Sequence, residues 1–370
     1  MKKTTFVMTI LLIGALLTGC AQQAAETPAS EAPAAAEESV EEAAAEEASS
    51  EEAAAAELEA EADSAEETAA ETEASAEETV VRVGSLQGPT TMGIVSLRKT
   101  SENGEAKQPY EFIMSAQPAE IASAIATGDL DIALLPANLA ATLYQKTNGG
   151  VKAIDLNTLG VLYCVTGDET VSSVEDLAGR TVLTTGQGAT PEYALRYLLS
   201  QYEIEDCEPE FKSEATEVAA LLKEDPTQIA ILPQPFVTAA IAQNEALSVA
   251  FSLQEAWDAL ADGSRLVTGV TIVRTDFLNE HPEAVETFLE EHAASVEMTT
   301  TDPDAVAELI AEYGIIEKAP VAKKALPACN IVCITGEEMH TALEGYLTTL
   351  YELNPEAVGG DLPAEDFYMK

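Results

Sequence analysis

Positive charge is scarce in this chain: 18 Lys and Arg stand against 65 Asp and Glu, a formal net charge of −47 over 370 residues. Nucleic-acid binding needs a basic footprint that displaces counterions from phosphates, so this balance excludes DNA and RNA as partners. Histidine is scarcer still, with three residues. His281 falls at a helix start, His292 on an apolar helical stripe and His340 on the flank of a late helix. No triad, metal-ligand cluster or P-loop accompanies them, so each reads as structural; no catalytic residue, metal or cofactor is expected. After the apolar run at 6–17 no second run is long enough to span a bilayer.

Cysteine is also sparse. Beyond Cys20 there are Cys164, Cys207, Cys329 and Cys333, and only the last two are close in sequence. On a strand that spacing puts them about 13 Å apart, too far for a disulfide without an intervening loop. With no His beside them in sequence, zinc is not expected either.

What the chain does have begins at its first residues: Lys2-Lys3, the apolar run, then Leu17-Thr18-Gly19-Cys20. A basic end, a short apolar stretch and small residues before a cysteine read as a secretory signal ending in a lipobox. Cys20 is the expected lipidation site, with 1–20 as the signal peptide. The folded part is then anchored by lipid at the outer face of the cytoplasmic membrane. Residues 21–78 are nearly all Ala, Glu, Ser and Thr, with no Lys, Arg or aromatic residue, and hold 20 of the 65 acidic residues. Dense like charge and little apolar payload predict a disordered acidic tether.

Residues 79–370 read as β-branched strands, each followed by a polar loop and an amphipathic helix, which is the α/β pattern. Strands are expected at 79–85, 130–135, 160–165, 181–185, 228–232 and 266–273. The strand-loop-helix plan restarts near 169, and the chain is helix-rich after 266. Two lobes follow: 79–165 with 266–370, and 166–265, joined by a hinge near 165–168 and 265–269.

Several stretches carry a family resemblance: LQGPT at 86–90, GDLDIA at 128–133, VEDLAGRTV at 174–182, and TDFL at 275–278 with HPE at 281–283. In this order, behind a lipobox and an acidic tether, they resemble the type II periplasmic-binding-protein fold. The likeness is to the sulfonate, nitrate and thiamine-precursor binding group of ABC importers. It implies a monomeric solute-binding protein that delivers a small-molecule ligand to a membrane permease with a separate ATPase.

Ligands of open α/β sheets bind beyond the carboxyl ends of strands. Four loops qualify: Gln87, Gly88, Thr90 and Thr91; Asn138 after Pro136; Gly186, Gln187, Gly188 and Thr190; and Gln234 before Pro235. Tyr163, near the hinge, is placed to stack on a planar ligand. Gly88-Pro89 also reads as a plain turn, Thr90, Thr190 and Asn138 as caps, and Tyr163 as core. Few charged residues fall in these loops, so a small anion or a polar heterocycle is the expected ligand. The same fold resembles thiamine-pyrimidine synthases and chorismate-dehydratase-like enzymes of menaquinone synthesis. The reading preferred here is a binder and not an enzyme, because the enzymes' substrates are cytosolic and a lipobox directs export. An exported sensor acting through a membrane receptor is the other alternative.

Overall fold

The computed structural model describes residues 79–260 and 264–370. The signal peptide, Cys20 and the tether lie outside the described residues.

The first lobe opens with β1 (Val81–Leu86), α1 (Pro89–Met92), α2 (Val95–Glu102), β2 (Tyr110–Ser115), α3 (Pro118–Thr127), β3 (Ile132–Pro136), α4 (Ala137–Thr147) and β4 (Val151–Leu159). The second lobe carries β5 (Leu162–Thr166), β6 (Thr181–Thr184), α5 (Thr190–Gln201), β7 (Glu208–Phe211), α6 (Ala215–Glu224), β8 (Ile229–Pro233), α7 (Phe236–Gln243), β9 (Ser248–Ser252) and α8 (Leu253–Asp258). The chain returns through β10 (Val267–Arg274), α9 (Thr275–Glu280), α10 (Pro282–Thr301), α11 (Pro303–Glu312), α12 (Ala319–Ala325), β11 (Ile331–Ile334) and α13 (Gly336–Leu353).

The strands form a six-stranded sheet, β11-β4-β10-β3-β1-β2, and a five-stranded sheet, β7-β6-β8-β5-β9. The molecule is thus the expected mixed α/β, two-lobed fold. The central β3 and β8, IALLP and IALLP-like IAILP, are buried on both faces up to their final proline, as continuous apolar runs covered by helices require. Proline ends each strand because it has no N–H for the ladder, and a helix follows.

Register determines where the two sheets meet. At the hinge end of the first sheet, Val267 pairs with Leu159 and Gly269 with Pro136. In the second sheet Leu162 pairs with Pro233. The carboxyl ends of β3, β4 and β8 therefore all flank the crossing at Gly160-Val161. That crossing lies before β5, earlier than the 165–168 expected from sequence, because the apolar run at 160–165 is the first strand of the second sheet.

The crossing is pinned by hydrogen bonds. Gly160 donates to Gln254 Oε1 at 2.6 Å, and its carbonyl accepts from Asn330 Nδ2. A Cβ at Gly160 would lie 2.7 Å from both Gln254 Oε1 and Leu266 Cδ2, so a side chain there would push the connecting strands apart. Behind the crossing, Tyr346 of α13 packs on Trp257 of α8 with ring centroids 5.8 Å apart, and Trp257 packs on Tyr197 of α5 at 4.1 Å. These aromatics join both lobes in one apolar core.

Candidate functional site

The first loop differs from its sequence reading. Its helix begins at Pro89, so Thr90 and Thr91 sit inside α1. Thr90 Oγ1 donates to the Leu86 carbonyl at 3.0 Å; Thr91 Oγ1 donates to Ser85 Oγ at 2.9 Å and also contacts the Leu86 carbonyl. Both hydroxyls are thus committed to fastening α1 onto the end of β1. Gly88 has φ 135°, in the region that favours glycine, and lets the strand turn directly into the helix. Gln87 Nε2 donates to the Gly314 carbonyl at 2.9 Å, tying this turn to the end of α11.

Asn138 lies at the second position of α4, whose N-cap is Pro136 with no side-chain cap. The capping role considered for it is therefore not the one it has. Gln234 is buried, and its Oε1 accepts from Thr238 Oγ1 at 2.9 Å; it stabilises the first turn of α7. Tyr163 is half-buried on β5 and donates to the Ala328 carbonyl at 2.8 Å. This bond ties the second sheet to the segment that packs beneath α1 and α2. Burial, followed by Cys329 and Glu255, pushes the Tyr163 hydroxyl up to about 12, so it remains a donor at neutral pH.

The Gly186 to Thr190 loop also departs from expectation. Gly186 and Gly188 have φ 72° and 74°, and Gln187 and Gly188 are exposed. The Gly188 amide donates to Glu192 Oε2 at 2.7 Å, and Glu192 Oε1 pairs with Arg196 at 2.6 Å. A carboxylate of the protein thus occupies the amide that sequence reasoning offered to an anionic ligand, and it does so at the favourable positive end of α5. Although burial works against the charge, the Gly188 and Arg196 bonds hold the Glu192 carboxyl below its usual range. Thr190 Oγ1 accepts from Tyr346 of α13 at 3.4 Å.

Residues that sequence reasoning missed lie on β4 and β10. A Cβ at Gly269 would be 2.4 Å from Asn157 Oδ1 and 2.7 Å from Thr90 Cγ2, so β10, β4 and α1 meet there without a side chain between them. Asn157 donates to Thr271 Oγ1 at 3.2 Å and accepts from Thr158 Oγ1 at 2.9 Å. Thr271 Oγ1 donates to Asp155 Oδ1 at 2.9 Å, and Asp155 Oδ2 faces His292 Nδ1 at 3.2 Å. A buried polar row thus runs inward from the hinge. Burial disfavours charge on His292, but Asp155, and after it Cys333, outweigh burial and carry its pKa up to about 10.

One residue before Gly269, Thr268 Oγ1 is buried and has no hydrogen-bond partner among the described residues. A buried hydroxyl without a partner costs free energy unless something else supplies one. Thr268 stands at the hinge end of β10, beside the start of α4. Nearby Arg265 is turned to Asp258 and Glu338, at 3.8 and 3.9 Å. Surface depressions elsewhere, including one of about 660 Å³ lined by Arg196, Leu199 and Cys207, lie away from the carboxyl ends of the strands.

The family model described as menaquinone biosynthesis matches residues 89–352. This overturns the expectation of a non-enzyme: the family is one of biosynthetic proteins, and a fold that clamps a solute can equally enclose a substrate. No curated relative matches the chain. Among solved structures, it is similar to an ABC transporter protein from Parabacteroides distasonis, with a TM-score of 0.68 and 22% identity over 79% of this chain and 99% of that one. It also resembles the periplasmic aliphatic sulphonate binding protein SsuA from Escherichia coli, with a TM-score of 0.62 and 13% identity over 79% and 92%. A third likeness is to the periplasmic nitrate-binding protein NrtA from Synechocystis, at 0.53 and 12% over 78% and 83%. At these identities the likenesses establish the two-lobed fold.

Proposed function

The chain belongs to the menaquinone-biosynthesis family, and we propose that it encloses a small polar organic molecule between its two lobes, beyond the ends of β1, β3, β6 and β8. The observation that carries this reading is the buried hydroxyl of Thr268 at the hinge end of β10, which has no partner among the described residues and which a bound ligand would satisfy. Asn138 and the Tyr163 ring flank the same crossing, and Gln87, Gly88 and the Gly186 to Thr190 loop form the rims. Arg265 is engaged by acidic partners, and Glu192 fills the start of α5. An uncharged polar ring therefore suits this cleft better than a small anion.

Delivery to a membrane permease driven by a separate ATPase is the fate we propose for the ligand. Its support is the lipobox ending at Cys20 and the solute-binding fold. Among the described residues no helix is long and apolar enough to cross a membrane; lipid on Cys20 is the attachment that the sequence motif suggests. A second reading, favoured by the family match, is that the enclosed molecule is chemically converted.

Mass spectrometry of the compound recovered after incubation separates the two fates. Recovery of an unchanged, stoichiometric ligand supports capture and delivery. Recovery of a product that accumulates with time supports conversion, and failure to retain any of a panel of polar heterocycles, sulfonates and nitrate contradicts both.

A further inference from the structure

The inner end of the buried polar row brings together three side chains that are far apart in sequence. Asp155 on β4, His292 on α10 and Cys333 on β11 each present a ligand atom within 4.8 Å of the other two. Asp155 and His292 are fully buried, and Cys333 is partly exposed at the sheet edge. No His adjoins Cys333 in sequence; the edge position of β11 beneath α10 supplies one.

Two further observations describe the surroundings of the imidazole. His292 is completely buried, yet its Nε2 has no hydrogen-bond partner among the described residues, while Nδ1 faces Asp155 at 3.2 Å. The ring also borders backbone at Gly93, where a Cβ would lie 3.4 Å from Nε2, 3.0 Å from Ile331 Cγ2 and 3.3 Å from Val296 Cγ2. Gly93 has φ −69°, a conformation open to any residue, so what glycine supplies at this position is relief from contact with Ile331, Val296 and the imidazole.

We propose that Asp155, His292 and Cys333 form a binding site for a divalent transition-metal ion of the zinc class. Imidazole nitrogen, thiolate and carboxylate are the donor types that zinc takes, and three protein ligands leave a fourth position for water. The charges close as well. A carboxylate and a thiolate bring two negative charges to an ion with two positive ones, and the ion displaces the thiol proton and the imidazole proton to solvent. Thr271 donates to Asp155 Oδ1 and is itself held by Asn157, so an outer shell fixes the carboxylate whose Oδ2 lies 3.2 Å from His292 Nδ1. Cys333, at the edge strand, offers the route of entry. This site is separate from the ligand cleft and stands whether or not that cleft binds as proposed.

The test is Zn2+ binding to the full chain by equilibrium dialysis, with Co2+ as a spectroscopic substitute. One equivalent of Zn2+ is expected, and Co2+ should give a thiolate-to-metal charge-transfer band in the near ultraviolet. Cys333→Ser, conservative and partly exposed, should abolish the band and lower Zn2+ affinity by at least about 100-fold, with the circular dichroism spectrum unchanged. Cys207→Ser should retain both. His292→Gln gives a second reading from the buried side if it folds. Absence of stoichiometric Zn2+ binding, or a cobalt band that survives in Cys333→Ser, overturns the proposal.

Discussion

The two walls of the proposed cleft are built differently. In the first lobe the strand ends are locked from behind: Thr90 and Thr91 fasten α1 to Leu86, and Asn157, Thr271 and Asp155 form a buried row under it. In the second lobe the corresponding loop is exposed, and its Gly188 amide is held by Glu192 at the surface. The contrast extends to the ion pairs. Asp131 is buried between Arg82 and Arg274, at 2.6 and 2.9 Å, whereas Asp168 meets Arg180 near the surface at 3.2 Å. On the proposed reading, closure about the hinge would bring a wall fastened from behind against one whose loop is exposed.

Substitutions in the first lobe should therefore cost most. Gly269→Ala would drive a Cβ into Asn157 and Thr90, both fixed by their own bonds, and should destabilise the protein by about 2–3 kcal/mol in urea unfolding. Asp131→Asn should cost about 2 kcal/mol, because it leaves two guanidinium groups without their carboxylate. Burial of Asp131 is outweighed by Arg82 and Arg274, so its pKa is lowered on folding. Its contribution is therefore present above the unfolded carboxyl pKa and is lost as pH falls through the lower folded value. Unfolding curves for Asp131→Asn should lack that part of the acid-induced loss; an unchanged acid slope would show that the triad is not its source.

The hinge bond comes next. Tyr163→Phe removes the link to the Ala328 carbonyl and should cost about 1 kcal/mol, while small-angle scattering of the unliganded protein shifts toward a more open form. The smallest effect belongs to the second wall. Glu192→Gln should change stability by less than about 1 kcal/mol and make sulfate bind more tightly at the start of α5. A loss as large as that of Gly269→Ala would erase the distinction between the walls.

The alternation of strand and helix was legible because the central strands are unbroken apolar runs ended by proline, as at Leu134-Leu135-Pro136 and Ile231-Leu232-Pro233. The strand Val151–Leu159 escaped notice because Asp155 and Asn157 give it the composition of a loop, although both are buried. Those polar residues are the ones that support the site. Tyr110–Ser115 was missed because its partly exposed edge position leaves only weak apolar contrast. The loops at strand ends could be read from sequence, but the commitments of their hydroxyls and amides could not. Whether Thr90 faces a ligand or the Leu86 carbonyl, or whether Glu192 reaches back to Gly188, depends on a few ångströms of helix placement. The meeting of His292 with Cys333 was likewise invisible, because an edge strand from the end of the chain brings it about.

The most direct measurement is the melting temperature of the wild type and Thr268→Val against a panel of polar heterocycles, sulfonates and nitrate. Valine removes a hydroxyl that has no partner among the described residues at nearly constant shape, so the unliganded variant should melt at or above the wild-type temperature. The account predicts that a compound which raises the wild-type melting temperature binds Thr268→Val about tenfold more weakly, the equivalent of one hydrogen bond. An equal rise in both proteins, or none in the wild type with any compound, would contradict it.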